Sequence, residues 1–167
     1  MYHKIDFSTL SLMDALDIAI LVEVEACERY ELFNSQLGHR YPDDASDVFR
    51  RMAESEKKHA DELSHRRQAL FGDTPMLVNK DALFDVEAPE VGSISWNMSP
   101  FKALQLVLSS EEKSYAFYDE AFSYVDNTEI QALFAELRDE EAEHARMIKD
   151  IINALPPEGH MDLSDED

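Results

Sequence analysis

Apolar residues recur at helical spacing in four stretches of this chain. The first runs from about Leu12 to Leu37, with Leu12, Leu16, Ala19, Ile20, Ala26, Cys27, Phe33 and Leu37 on one stripe. Ser11 with Asp14 reads as its N-cap and capping box, and Gly38 as its stop. Tyr41-Pro42-Asp43-Asp44 reads as a tight turn. A second helix is predicted over 44–71, with Phe49, Met52, Leu63 and Leu70 inward and Gly72 at its end. The third, over 100–125, opens with Ser99-Pro100, an N-cap followed by proline at the first helical position. Its stripe holds Phe101, Leu104, Val107, Leu108, Tyr115, Phe122 and Val125. The fourth, over 129–155, takes Thr128 as N-cap and carries Ile130, Leu133, Phe134, Leu137, Ile148, Ile151 and Ile152. Pro156-Pro157 ends it.

Residues 72–99 break the periodicity. So long a connection inside a compact domain needs a reason, and a crossover along the length of a helix bundle supplies one. Trp96 and the Met76-Leu77-Val78 patch are expected to pack it down. The pattern therefore predicts an all-α four-helix bundle: two antiparallel helical hairpins joined by a long crossover, over residues 1–155. An acidic tail, 156–167, is expected to be mobile.

Acidic residues interrupt the apolar stripes at matched places. Glu56 and His59 sit in a gap of the second stripe, and Glu141 and His144 in the fourth. Residues three apart share one helical face, so each Glu-x-x-His can reach one point. Glu23 with Tyr30, and Glu111 with Tyr118, lie on the first and third stripes at identical spacing. The midpoint of Glu23 and Glu56 falls between His39 and Arg40, in the first turn; that of Glu111 and Glu141 falls on Asp126, in the second. Residues equidistant from a hairpin turn face each other, so each pair belongs at one level. A further Glu-x-x-His, Glu62 to His65, has Ser55, Lys58 and Arg66 at helical spacing and is assigned to solvent.

Four carboxylates at one level of an apolar core cannot all ionise without partners, because buried like charges raise one another's pKa. Two divalent cations would neutralise them. Oxygen-rich ligation with one imidazole per metal suits iron or manganese. One metal is assigned to Glu23, Glu56 and His59 and the other to Glu111, Glu141 and His144, with Glu56 and Glu141 between them. Tyr30 and Tyr118, two turns beyond Glu23 and Glu111, are placed to donate to a ligand carboxylate. Other acids nearby are expected on solvated faces, with Glu140 or Glu143 as an alternative ligand.

Composition narrows the function classes. The 167 residues suit one domain with a full core. Net charge is -21, with 36 acidic against 15 basic residues, which argues against nucleic acid and anionic membrane surfaces as partners. The single cysteine, Cys27, excludes an intrachain disulfide or a four-cysteine iron site, and reads as a small buried thiol. No apolar run reaches membrane-spanning length and Met1 to Leu10 lacks a signal-like apolar core, so a cytoplasmic protein is expected.

The doubled pattern of Glu with Tyr seven residues on, followed by Glu-x-x-His, resembles the rubrerythrin branch of the ferritin-like superfamily over residues 12–155. The resemblance implies two iron ions in a non-haem centre held by Glu23, Glu56, His59, Glu111, Glu141 and His144. It implies an oxidoreductase of peroxidase or ferroxidase type, linked to oxidative stress, with hydrogen peroxide or dioxygen as oxidant, an external electron donor and a homodimeric state. Three departures stand out. No rubredoxin-type cysteines are present. Ser114 stands where rubrerythrins carry a further glutamate one turn after the third-helix ligand. Lys57 stands where bacterioferritins carry a haem-binding methionine. Ferritin-like iron storage is the alternative reading, and a metal-free helical interaction protein a third.

Overall fold

The computed structural model describes residues 5–83 and 86–164. The expected mobility of Asp165, Glu166 and Asp167, and the first four residues of the N-terminal stretch, lie outside them. Helix α1 spans Leu12–Leu37, α2 Ala45–Phe71, α3 Pro100–Tyr124 and α4 Thr128–Ala154, with no strand among the described residues. The all-α, ferritin-like bundle expected from the sequence is what the chain forms: α1 packs on α2, α3 packs on α4, and the long crossover joins the two hairpins. No helix of the described residues is long and apolar enough to cross a membrane.

Local chemistry sets the helix ends. The Ser11 hydroxyl accepts from the Asp14 amide at 3.0 Å while Asp14 accepts from the Ser11 amide at 3.0 Å, a reciprocal capping box. Gly38 ends α1 at φ 66°, a left-handed conformation that a Cβ would strain. Asp44 caps α2, accepting from the Asp47 amide at 2.9 Å. Ser99 caps α3 ahead of Pro100. The N-cap of α4 is Asn127, not Thr128: its side-chain oxygen accepts from the amides of both Glu129 and Ile130, and Thr128 becomes the first helical residue.

The apolar core is divided in two. One half gathers Leu16, Ile18, Val22, Leu63, Phe117, Phe134 and Leu137. The other gathers Phe33, Phe49, Ala53, Leu104, Val107 and Ile148. Burying each large side chain stabilises the fold by about 1.5–3 kcal/mol, so both halves are substantial. On every helix the change from one half to the other falls at the same kind of residue: Glu23 on α1, Glu56 on α2, Glu111 on α3 and Glu141 on α4. A polar layer thus crosses the middle of the bundle.

The crossover runs the length of the bundle, past both halves. Val78, Leu83 and Val86 pack on the first, Ile94 and Met98 on the second. The anchors differ from those expected. Leu77 is 79% exposed and Met76 is also exposed, so only Val78 of that patch packs inward. Trp96 is half-exposed and lies under the Arg40 guanidinium, 5.5 Å from the ring centroid. Leu70, Tyr115 and Ile151 are exposed too, because they stand at the ends or margins of stripes that the bundle does not fully cover. The residues after α4 are docked over the span described. Pro157–His160 forms a 3₁₀ turn, the Leu163 amide donates to the Asn97 carbonyl at 2.8 Å, and Asp162 accepts from the Ser99 amide at 3.0 Å and pairs with Lys102.

Candidate metal centre

Each hairpin brings its carboxylates and imidazole together. His59 Nδ1 lies 3.7 Å from Glu23 Oε2 and 3.6 Å from Glu56 Oε2. His144 Nδ1 lies 3.2 Å from Glu111 Oε2 and 3.6 Å from Glu141 Oε2. Within each trio the ligand atoms all fall within 4.8 Å of one another. The four glutamates are buried, while each imidazole is 20% exposed. The helical i to i+3 step sets His59 beside Glu56 and His144 beside Glu141. The antiparallel register brings Glu23 and Glu111 across to meet them.

A fifth carboxylate joins this layer from the crossover. Glu87 is 1% exposed, flanked by Val86 and Ala88, both fully buried. One of its oxygens accepts from the Ser114 hydroxyl at 3.4 Å. It lies within 4.8 Å of ligand atoms of Glu23 and Glu141, and likewise of Glu56 and Glu111. Helical periodicity could not reveal it, since residues 72–99 have none. The available signal was an acid set between two small apolar residues, midway along a crossover.

The layer is starved of partners. Glu23 Oε2, Glu56 Oε1, Glu87 Oε1, Glu111 Oε1 and Glu141 Oε2 are buried with no hydrogen-bond partner. Orphaned buried acceptors cost about 1–3 kcal/mol each, and more when charged. Burial and the neighbouring carboxylate charges push Glu23 and Glu87 well above the usual carboxylate range. Burial, together with Glu111 and Glu56, raises Glu141 to about 8. Burial also acts to raise Glu56, but the proton it shares with Glu23 and the nearby His59 hold it low. For His144, burial opposes the charge, yet Glu111 and Glu141 overcome it and lift the imidazole to about 10. Five convergent acids with orphaned oxygens and two imidazoles fit hard or borderline divalent cations with oxygen and nitrogen ligands.

Tyr30 and Tyr118 flank the layer on opposite sides. Tyr30 is buried in one half of the core, stacked on Phe49, and Tyr118 in the other, beside Phe117. Neither hydroxyl has a hydrogen-bond partner among the described residues. Burial raises both phenols well above their ordinary range. Glu111 of the opposite hairpin adds to the effect at Tyr30, and Glu23 of the opposite hairpin at Tyr118. Both therefore hold their protons at neutral pH.

The remaining acids and the thiol sort by exposure. Glu143 is exposed and paired with Arg146, away from the layer. Glu62 and His65 are exposed. Cys27 is buried, donating to the Ala53 carbonyl at 3.3 Å, and burial lifts its thiol to about 11. Glu140 stands at the rim of a cavity of about 180 Å³ that leads to His59, with Glu62, Leu63, Arg66, Glu136 and Leu137. Arg66 crosses that opening to Glu136, at 3.2 Å from each oxygen.

Comparison with known proteins identifies the family and the fold. The rubrerythrin family profile matches residues 14–152 and, a second time, residues 102–166. An uncharacterised conserved protein of Magnetospirillum magnetotacticum, solved by crystallography, is similar at 29% identity over 88% of this chain and 97% of its own, with a TM-score of 0.69. A hypothetical protein of Pyrococcus furiosus shares the fold at 21% identity, covering 86% of this chain and 89% of its own, with a TM-score of 0.55. No curated protein matches. The chain belongs to the rubrerythrin family of the ferritin-like superfamily, and membership implies a di-iron carboxylate protein.

Proposed function

We propose that this protein is a non-haem di-iron oxidoreductase that reduces hydrogen peroxide, or oxidises Fe(II) with peroxide or dioxygen. One iron would be held by Glu23, Glu56 and His59, the other by Glu111, Glu141 and His144. The observation that carries the reading is the convergence of orphaned carboxylate oxygens on one buried layer, with one imidazole from each hairpin. A structure that buried these acids only to support the fold would leave each of them at a cost. Manganese suits the same donor set and is separated from iron by metal analysis.

When bound, the iron pair supplies the two electrons that an oxidant takes up. The chain's own residues supply the rest. The split core keeps bulk water from the layer, so its electrostatic interactions are strong. The cavity lined by His59 gives a small oxidant an approach to that imidazole. Burial raises Glu141 to about 8 in the metal-free protein, so its carboxyl gives up a proton when it takes up metal. Tyr30 and Tyr118, one in each core half flanking the layer, keep neutral hydroxyls that would donate to carboxylates as the charge of the centre changes. Repeated peroxide reduction would draw electrons from an external donor, as Cys27 alone cannot form a four-cysteine iron site.

The test is anaerobic reconstitution with Fe(II), followed by stopped-flow mixing with peroxide and with dioxygen in parallel. An iron-loaded protein whose absorbance changes with neither oxidant would sink the proposal. Sizing the loaded protein separates the iron-storage reading, which needs a large hollow assembly, from a homodimeric redox protein.

A further inference from the structure

We infer that Glu87 is a metal ligand delivered by the crossover, so that filling the centre and closing the crossover onto the bundle are one event. The inference rests on the di-metal reading above and extends it to an element outside the four helices.

Three observations carry it. The first is position. Val86 packs with one half of the core, and Ile94 and Met98 with the other, so the crossover passes the polar layer at Glu87. The second is the state of the side chain. Glu87 is 1% exposed, Ser114 donates to one oxygen at 3.4 Å, and the other oxygen has no partner. That is the arrangement of a carboxylate steadied on one oxygen and offered on the other. The third is reach. Glu87 groups within 4.8 Å with Glu23 and Glu141, and with Glu56 and Glu111. Each of those pairs takes one acid from each hairpin, so a single crossover residue addresses both.

The backbone around Glu87 is fastened to suit. Lys113 of α3 donates to the Ala88 carbonyl at 3.0 Å, and Arg29 of α1 donates to the Pro89 carbonyl. These bonds fix the height of the segment but leave the carboxylate itself facing the layer. Ser114 occupies the helical position one turn beyond Glu111 and presents a hydroxyl to Glu87. The small side chain at that position therefore makes room for an acid from another element. Charge follows the same logic: five carboxylates fall between the charge of two divalent and two trivalent ions, where four match only the former.

The experiment compares the full-length protein with Glu87→Gln and Glu87→Asp. Glutamine keeps the volume of the side chain and removes its charge. Aspartate keeps the charge and draws it back by one methylene. Melting of each metal-free protein checks that the variants fold. Fe(II) binding under anaerobic conditions is measured by titration, and hydrogen exchange over residues 86–92 is followed with and without Fe(II). We expect Fe(II) to slow exchange in this segment of the native protein. Glu87→Gln should bind at least one Fe(II) about tenfold or more weakly and lose that slowing. Glu87→Asp should fall between the two. If Glu87→Gln binds two Fe(II) with native affinity and shows native protection, Glu87 is a buried structural acid and the inference is overturned while the di-metal reading stands. If the native protein takes up no Fe(II), both are overturned.

Discussion

His59 and His144 stack face to face, with ring centroids 4.7 Å apart and planes 3° from parallel, although they come from different hairpins. Each ring turns Nδ1 toward the two carboxylates of its own hairpin. The stack therefore joins the two hairpins while each imidazole keeps to the carboxylates of its own. His59→Ala and His144→Ala should each empty one metal position and spare the other. Metal analysis after Fe(II) loading should show bound metal halved in either single variant and abolished in the double. Full metal content in both single variants would refute the assignment.

Proton linkage gives the centre a definite pH behaviour. The folded values of Glu141 and His144, about 8 and about 10, both lie above their ordinary values of 4.5 and 6.5. The metal-free native state then binds more protons than the unfolded chain over that window, so stability falls as pH rises. The stabilisation from His144 is complete below about 6.5 and is lost as pH climbs through about 10. That from Glu141 is complete below about 4.5 and is lost through about 8. Metal-free protein should melt several degrees lower at pH 9 than at pH 6, on a scale of about 2–4 °C per kcal/mol. On the proposed assignment, bound metal displaces the same protons, so Fe(II) uptake at pH 7 should acidify a weakly buffered solution. A metal-free melting point that rises between pH 6 and pH 9 would contradict this sign.

Arg67 secures the far end of α2. Its guanidinium pairs with Asp17, which is 1% exposed, at 2.8 Å and 3.3 Å, and also donates to the Gly72 and Thr74 carbonyls at 2.8 Å and 2.6 Å. Arg67→Ala leaves the buried Asp17 carboxylate unpaired and should lower stability. Urea denaturation should show that loss, and adding Asp17→Asn should recover part of it. No recovery would mean that the carbonyl contacts, and not the ion pair, dominate.

The tyrosine hydroxyls should be dispensable for folding. Each is buried without a partner among the described residues, so Tyr30→Phe and Tyr118→Phe should melt at or slightly above the native metal-free protein. Both variants should still load two irons. Their reaction with peroxide should slow by about tenfold if, as proposed, each hydroxyl donates to a carboxylate once metal is bound. A lower melting point would show that the hydroxyl supports the fold instead.

Helical phase made much of this molecule legible. The stripe through Leu16, Phe33, Phe49 and Phe134 marked the helices, and the turn midpoints set Glu23 opposite Glu56 and Glu111 opposite Glu141 before any coordinates. The crossover resisted the same method. An irregular segment has no period, so its buried residues cannot be told from its exposed ones by spacing, and size was a poor substitute. Trp96 and Leu77 are large and lie outside; Val86 and Ala88 are small and lie inside. Glu87 was hidden for that reason. The docking of Asp162 and Leu163 was equally silent, because it depends on where α3 begins in space, not on their own sequence.

The internal repeat extends through both hairpins but stops at the connection between them. Two copies of a hairpin would place their acids and imidazoles in equivalent surroundings, as in a dimer folded from one chain. The crossover exists once, and with it, among the described residues, one buried carboxylate and its serine support. The segment after α4 docks instead beside Asn97 and Ser99, at the start of α3. The duplicated frame is thus made one-sided by its own connectivity. A second sphere of identical residues would give two interchangeable positions; this chain has a built-in left and right.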